Sequence, residues 1–263
     1  MKSVKIIIAT HKNFNEPRDK ELYMPVHVGA EGKDDLGYQK DNVGENISTL
    51  NPYFCELTGI YWAWKNLDVD YLGLVHYRRF FTKQKMAFTS DIKIDDVILS
   101  KQDVDELIEN YDVIVPTKRK YYIETLYSHY AHTFNYTHLD LARQIIGDRT
   151  PDCLPSFDVV MKQRSGYMFN MFIMKKTLLN EYCEWLFPIL QTMYKKMDLS
   201  SYTAFEARLF GRVSERLFNV WLHHKNISPR EVPFMYMEKV DLWKKRMGFL
   251  MAKLFGKKYD KSF

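Results

Sequence analysis

Residues 51–81 constrain the fold of this chain more than any other stretch. From Asn51 to Asn66, Phe54, Leu57, Tyr61 and Trp64 recur at helical spacing, with Cys55, Thr58 and Trp62 beside them. The pattern predicts one amphipathic helix, with Asn51 as N-cap and Pro52 in the first turn. Asp68-Val69-Asp70 then bounds a short apolar run, Tyr71-Leu72-Gly73-Leu74-Val75, followed by His76-Tyr77-Arg78-Arg79. An apolar run too brief for a helix predicts a strand covered on both faces, the usual setting of a parallel sheet. Open α/β sheets bind ligands beyond the carboxyl ends of their strands. Arginines bind phosphate through planar, bidentate donors, so this edge is a candidate anion site. The structural alternative is that Arg78 and Arg79 begin a solvated loop.

The rest of the chain supports such a sheet. Candidate strands at 4–9, 24–28, 112–116, 167–174 and 232–237 are interspersed with candidate helices at 95–110, 138–146, 156–163, 177–197 and 213–224. That succession predicts an α/β fold with a mostly parallel sheet flanked by helices. One domain over 1–237, followed by a tail over 238–263, is the simplest organisation. An apolar fraction of 46% is ample for the core. Cys55, Cys153 and Cys183 are odd in number and widely spaced, which predicts reduced thiols and a cytoplasmic setting. Met1 to Ile8 has too few apolar residues for a signal peptide and predicts the first strand instead. No run approaches the ~18 apolar residues of a membrane span.

The formal charge of +5 is unevenly distributed: Lys239 to Phe263 carries +6, leaving −1 for the body. A nearly neutral body without a reading motif argues against nucleic acid as a partner. In the tail, Leu242-Trp243, Met247, Phe249-Leu250-Met251 and Leu254-Phe255 alternate with lysines and Arg246. This predicts a basic amphipathic helix on an anionic membrane surface, peripheral to the inner face of the cell membrane. A partner-binding helix is the alternative.

Several further residues are candidates for chemistry, each with a structural alternative. Thr10-His11-Lys12 follows the first strand, where a nucleotide-binding fold meets its ligand, although a surface turn has the same composition. Asp41 to Ser48, including Asn46, combines turn residues with hydrogen-bonding side chains. Glu56 falls on an aromatic helix surface and needs a partner if buried, for which an arginine of the 76–79 segment is the natural choice. Asp68 and Asp70 precede their strand, at the opposite end from the phosphates that a metal-binding DxD pair serves. His129, His132 and His138 lack the spacing and company of a metal site; with the hydroxyls of 127–136, His132 suits a sugar acceptor. Asn170 is a polar amide in an apolar strand and must be satisfied by backbone or by a sugar hydroxyl. Ser214 and Glu215 fall in the first turn of a helix opened by Gly211, where Glu215 is either a dipole-favoured cap or an acceptor-orienting carboxylate.

These segments in this order resemble a bacterial family known as a domain of unknown function, DUF4422, linked to capsule, exopolysaccharide and O-antigen glycosyltransferases. The resemblance is carried by Ala9-Thr10-His11-Lys12, the 41–48 loop, the 51–66 helix, Gly73 to Arg79, Asn170 to Met174, Tyr182 to Phe187 and Gly211 to Leu222. It implies a GT-A-like, Rossmann-type glycosyltransferase that uses a UDP-sugar, galactose foremost, with His76-Tyr77-Arg78-Arg79 in the place of the metal-binding DxD. On that reading Thr10, His11, Lys12, Asp41 and Asn46 hold the uridine and ribose. Arg78 and Arg79 grip the diphosphate, while His76 and Tyr77 line the donor cleft. Asn170, His132 and Glu215 face the acceptor, a lipid-linked oligosaccharide, and Glu215, Arg78 and Arg79 are the catalytic candidates. No metal cofactor is then required, because arginine cations neutralise the leaving diphosphate. The alternative is a non-catalytic nucleotide- or glycan-binding module of a membrane-associated assembly.

Overall fold

The computed structural model describes residues 2–86, 89 and 92–238; the tail helix expected over 238–263 thus lies almost wholly outside the described residues. The strands are β1 (Val4–Thr10), β2 (Tyr23–His27), β3 (Gln39–Lys40), β4 (Tyr71–His76), β5 (Arg79–Phe81), β6 (Val113–Pro116), β7 (Arg119–Lys120), β8 (Ser165–Gly166), β9 (Phe172–Lys175), β10 (Arg230–Val232) and β11 (Phe234–Tyr236). The helices are α1 (Asn51–Phe54), α2 (Leu57–Asn66), α3 (Ile94–Val97), α4 (Lys101–Asn110), α5 (Leu126–Thr133), α6 (Thr137–Arg149), α7 (Leu154–Lys162), α8 (Lys176–Lys196), α9 (Ala204–Ala207) and α10 (Leu209–His224).

The main sheet runs β10-β6-β9-β4-β1-β2-β3, with β5 joining β4 and β11 joining β5. The β1–β2, β1–β4, β2–β3 and β6–β10 pairs are parallel, whereas β9 lies antiparallel between β4 and β6. Alternate side chains feed two cores. Ile7, Leu72, Leu74, Phe172 and Met174 pack under the α1, α2, α8 and α10 layer, while Ile6, Ile8, Tyr71, Val75 and Ile173 pack on the opposite face with Val104 and Ile108 of α4. Burial on both faces explains why β4 reads as a continuous apolar run. Gly73 lets three strands approach: a Cβ there would meet side-chain atoms of Ile6 and Ile173 at 3.0–3.2 Å.

Three local expectations are corrected. The 51–66 helix is broken at Cys55, whose φ is +53°, and Asn51 is not its N-cap because a 3-10 turn over Ser48–Leu50 leads straight into α1. The Asn51 amide instead holds the break, donating to the Cys55 carbonyl (2.8 Å) and the Thr58 hydroxyl (3.2 Å). The 167–174 run is not one strand, since Phe169 (φ +76°) and Asn170 (φ +53°) form a left-handed turn before β9. The expected 95–110 helix is two, because Ser100 caps α4 in a box with Asp103.

Candidate active site

β1 and β4 are parallel neighbours in register, Ala9 opposite His76, so the residues after both strands meet at one edge of the sheet. His76 pairs with Arg79, which makes Tyr77-Arg78 a tight turn into β5 rather than a free loop. Here the sheet borders a cavity of about 950 Å³ that reaches across to α5 and α10. His11, His76, Tyr77, Arg78, Arg79 and Glu215 line it. The ring of His11 meets Tyr77 edge-on at 5.3 Å, and Arg78 lies over the same Tyr77 ring at 5.2 Å. Arg79 sits over Phe169 at 4.7 Å and Tyr236 at 5.1 Å, its buried Nε without a hydrogen-bond partner among the described residues. Glu238 bridges the two segments, 3.7 Å from Arg78 and 3.6 Å from Lys12.

The strained turn at Phe169-Asn170 ties this edge to α2 and α10. His76 Nε2–H donates to the Phe169 carbonyl at 2.7 Å, and the Phe169 N–H donates to Glu215 Oε1 at 2.9 Å. The Asn170 amide donates to Glu56 (2.6 Å) and to the Gly211 carbonyl (3.0 Å), and accepts from the Ser214 hydroxyl (2.7 Å). A bulky residue at positive φ persists only where its surroundings over-determine it, as these bonds do. Burial holds the pKa of His76 below its ordinary value; Glu56 opposes the shift, and Arg79 and Arg78 reinforce it. Burial, with Arg78 and Lys12 adding to it, does the same to His11. The site histidines are therefore neutral at pH 7, and the cations of the cavity are lysine and arginine. Burial pushes the Cys55 thiol up to about 11, so that cavity residue is no nucleophile.

Other expectations about the site are corrected. Asp41 is 0% exposed and its carboxylate accepts from the Gly29 and Ala30 N–H groups and from the Ser48 and Thr58 hydroxyls. It organises the loop after β3 instead of facing a nucleotide. Asn46 donates to the Gly44 carbonyl and accepts from the Ser48 N–H, completing that loop. Thr10 is buried, its hydroxyl donating to the Lys12 carbonyl, and Lys12 flanks the cavity without lining it. Asn170 is buried behind the wall, so backbone and neighbouring side chains satisfy its amide. His132, 55% exposed at its side chain, bonds Glu124 outside the cavity, and His129, which also bonds Glu124, is the histidine that lines it. Glu56 is half-buried and accepts a hydrogen bond from Asn170, not from an arginine of the 76–79 segment. α10 begins at Leu209, so Glu215 lies in its second turn and no cap role applies. Glu215 Oε2 instead pairs with Arg216 at 2.7 Å.

Sequence reasoning missed most of the cavity's charge. Arg208, Arg212 and Arg216, together with Lys33 and Arg119, line it beside Arg78 and Arg79, against the carboxylates Glu56 and Glu215. The signal was present: three arginines at spacings of four put one basic stripe on a helix whose other faces are apolar. Such a donor set suits an anion rather than a divalent cation. Among the described residues Asp152, Cys153 and His224 are the three potential metal ligands that converge, and none of them lines the cavity.

A doubly covered, mostly parallel sheet with a cation-rich cavity past the carboxyl ends of β1 and β4 defines a GT-A-like α/β protein. The profile of the family described as a domain of unknown function, DUF4422, matches residues 5–226, and the chain belongs to that family. Its structure is similar to that of the WbbM bifunctional glycosyltransferase, with a TM-score of 0.84 and 28% identity over 90% of this chain. The match covers 46% of the WbbM chain, so this chain spans a little under half of that protein. No curated protein matches the sequence.

Proposed function

We propose that the chain is a glycosyltransferase that moves a hexose, galactose foremost, from a UDP-sugar to a lipid-linked oligosaccharide in capsule, exopolysaccharide or O-antigen synthesis. The observation that carries this reading is the placement of Arg78 and Arg79 at the cavity edge where β1 and β4 end, in a fold similar to a known glycosyltransferase. The cleavage step separates the anomeric carbon from the diphosphate, whose charge rises as the bond breaks. Fixed guanidinium groups aimed at that charge need no reorganisation during the reaction. His76, neutral and bonded to the Phe169 carbonyl, holds the turn that presents Glu215. With both oxygens of Glu215 engaged, by the Phe169 N–H and by Arg216, its role is to orient acceptor and reacting sugar electrostatically.

Among the described residues no helix is long and apolar enough to cross a membrane. The basic segment after Glu238 is then the contact with anionic lipid that brings the enzyme to its acceptor at the inner face of the cell membrane.

Release of UDP from UDP-galactose, with and without a lipid-linked acceptor, tests the reading. Turnover should be unchanged by excess EDTA, because arginine rather than a divalent ion neutralises the leaving group. Activity lost to EDTA and restored by Mn²⁺ would contradict that mechanism. Tight UDP binding without turnover on any acceptor would point to a non-catalytic binding module.

A further inference from the structure

The cavity extends from the Arg78–Arg79 edge to an end built by α5, α10 and the segment after β7. We propose that this end is an acceptor subsite for an anionic group, a carboxylate or phosphate carried by the glycan that receives the sugar. The proposal rests on the glycosyl-transfer reading and adds the chemical class of the acceptor.

Two observations carry it independently. The first is a pair of unsatisfied donors. The Tyr121 hydroxyl and Arg216 Nε are buried and lack any hydrogen-bond partner among the described residues. Tyr121 is 6% exposed and Arg216 3%, yet both border the cavity. A buried polar group left unpaired is costly, so two at one wall point to a ligand that completes them. The second is charge. Seven lysine and arginine side chains line the cavity against two carboxylates. The diphosphate of a nucleotide sugar, with one charge per phosphate, balances less than half of that excess. At this end Arg216 is buried and Arg212 half-buried, and a guanidinium held away from water gains from an anion beside it, so the remaining positive charge suits a second anion here.

The surrounding geometry suits a sugar bearing such a group. Arg212 lies over the rings of both Phe134 (4.3 Å) and Phe205 (4.0 Å), and Arg119 lies over Tyr121 at 5.0 Å. Aromatic faces offer a platform for a sugar's C–H surface, and the guanidinium groups beside them take the charge. Burial holds the pKa of His129 at the same wall below its ordinary value, with Arg216 and Arg119 reinforcing the effect, as expected for a strongly electropositive pocket.

Calorimetric titration of the full chain, with and without saturating UDP, tests this with three probes: methyl glucuronide, glucose 1-phosphate and neutral methyl glucoside. At least one charged probe should bind about tenfold or more tightly than the glucoside, the scale of a charge-assisted hydrogen bond, and should do so with UDP in place. Preference for the glucuronide identifies an acidic sugar, and preference for the phosphate a phosphorylated one. Tyr121→Phe removes only the orphaned hydroxyl, so its thermal midpoint should not fall while the charged-over-neutral preference shrinks about fivefold. Arg212→Gln, at a half-buried position, should reduce that preference about tenfold. Equal affinity for charged and neutral probes, displacement of UDP by the charged probes, or a preference unaltered in both variants would overturn the inference while leaving the nucleotide reading intact. Failure of UDP to bind would instead contradict the nucleotide reading, and the titrations without UDP would still decide on the anion subsite.

Discussion

Arg78→Ala should lower kcat for UDP release from UDP-galactose by about 10²–10³-fold, the usual cost of deleting one preorganised donor to developing charge. Its thermal midpoint should stay close to that of the parent chain. Arg78 is partly exposed at the rim, packs on Tyr77, and has a 3.7 Å ion pair with a half-exposed Glu238. Such a pair adds little to stability, so the loss must be kinetic. Arg78→Lys should recover only a small part of it, because an ammonium cannot reproduce the planar fork that spans two phosphate oxygens. Wild-type turnover in Arg78→Ala would remove this residue from the reaction.

Asp41→Ala should show the opposite pattern, a large loss of stability whose effect on the site is indirect. Removing that carboxylate strands two backbone N–H groups and two hydroxyls at a fully buried point. We expect a cost of about 4 kcal/mol, within the range for breaking a buried network, and a thermal midpoint lower by roughly 10 °C for a domain of this size. The break between α1 and α2 should loosen too, since Thr58 joins Asp41 to the Asn51 amide. A variant that melts with the parent chain would refute the structural role, and loss of UDP binding without loss of stability would return Asp41 to the nucleotide site.

These two residues mark what the sequence displays and what it conceals. β1, β4 and β6 are short apolar runs with turn residues at their ends, and burial on both faces of a sheet leaves that trace directly. The juxtaposition of Thr10-His11-Lys12 with His76 to Arg79 also follows once both are read as strand ends of one parallel pair. The Phe169-Asn170 turn is different. Its neighbours have strand composition, and its left-handed backbone is imposed by bonds to Glu56, Gly211 and Glu215, distant in the chain. The break at Cys55 is hidden likewise, because Asn51 looks like a cap and acts four residues later. Turn residues around Asp41 suggest an exposed loop, and nothing in their order shows that the carboxylate is its buried centre. The arginine stripe of α10 is legible at i, i+4 and i+8, but a helix start at Gly211 cuts off Arg208 and obscures the period.

A crystal structure of the chain with UDP bound decides whether the arginine cations after β4 hold the diphosphate of a nucleotide. Phosphate oxygens should lie within hydrogen-bonding distance of the Arg78 and Arg79 guanidinium groups, with Glu238 displaced from Arg78. A nucleotide seated elsewhere, with Arg78 still paired to Glu238, would contradict it.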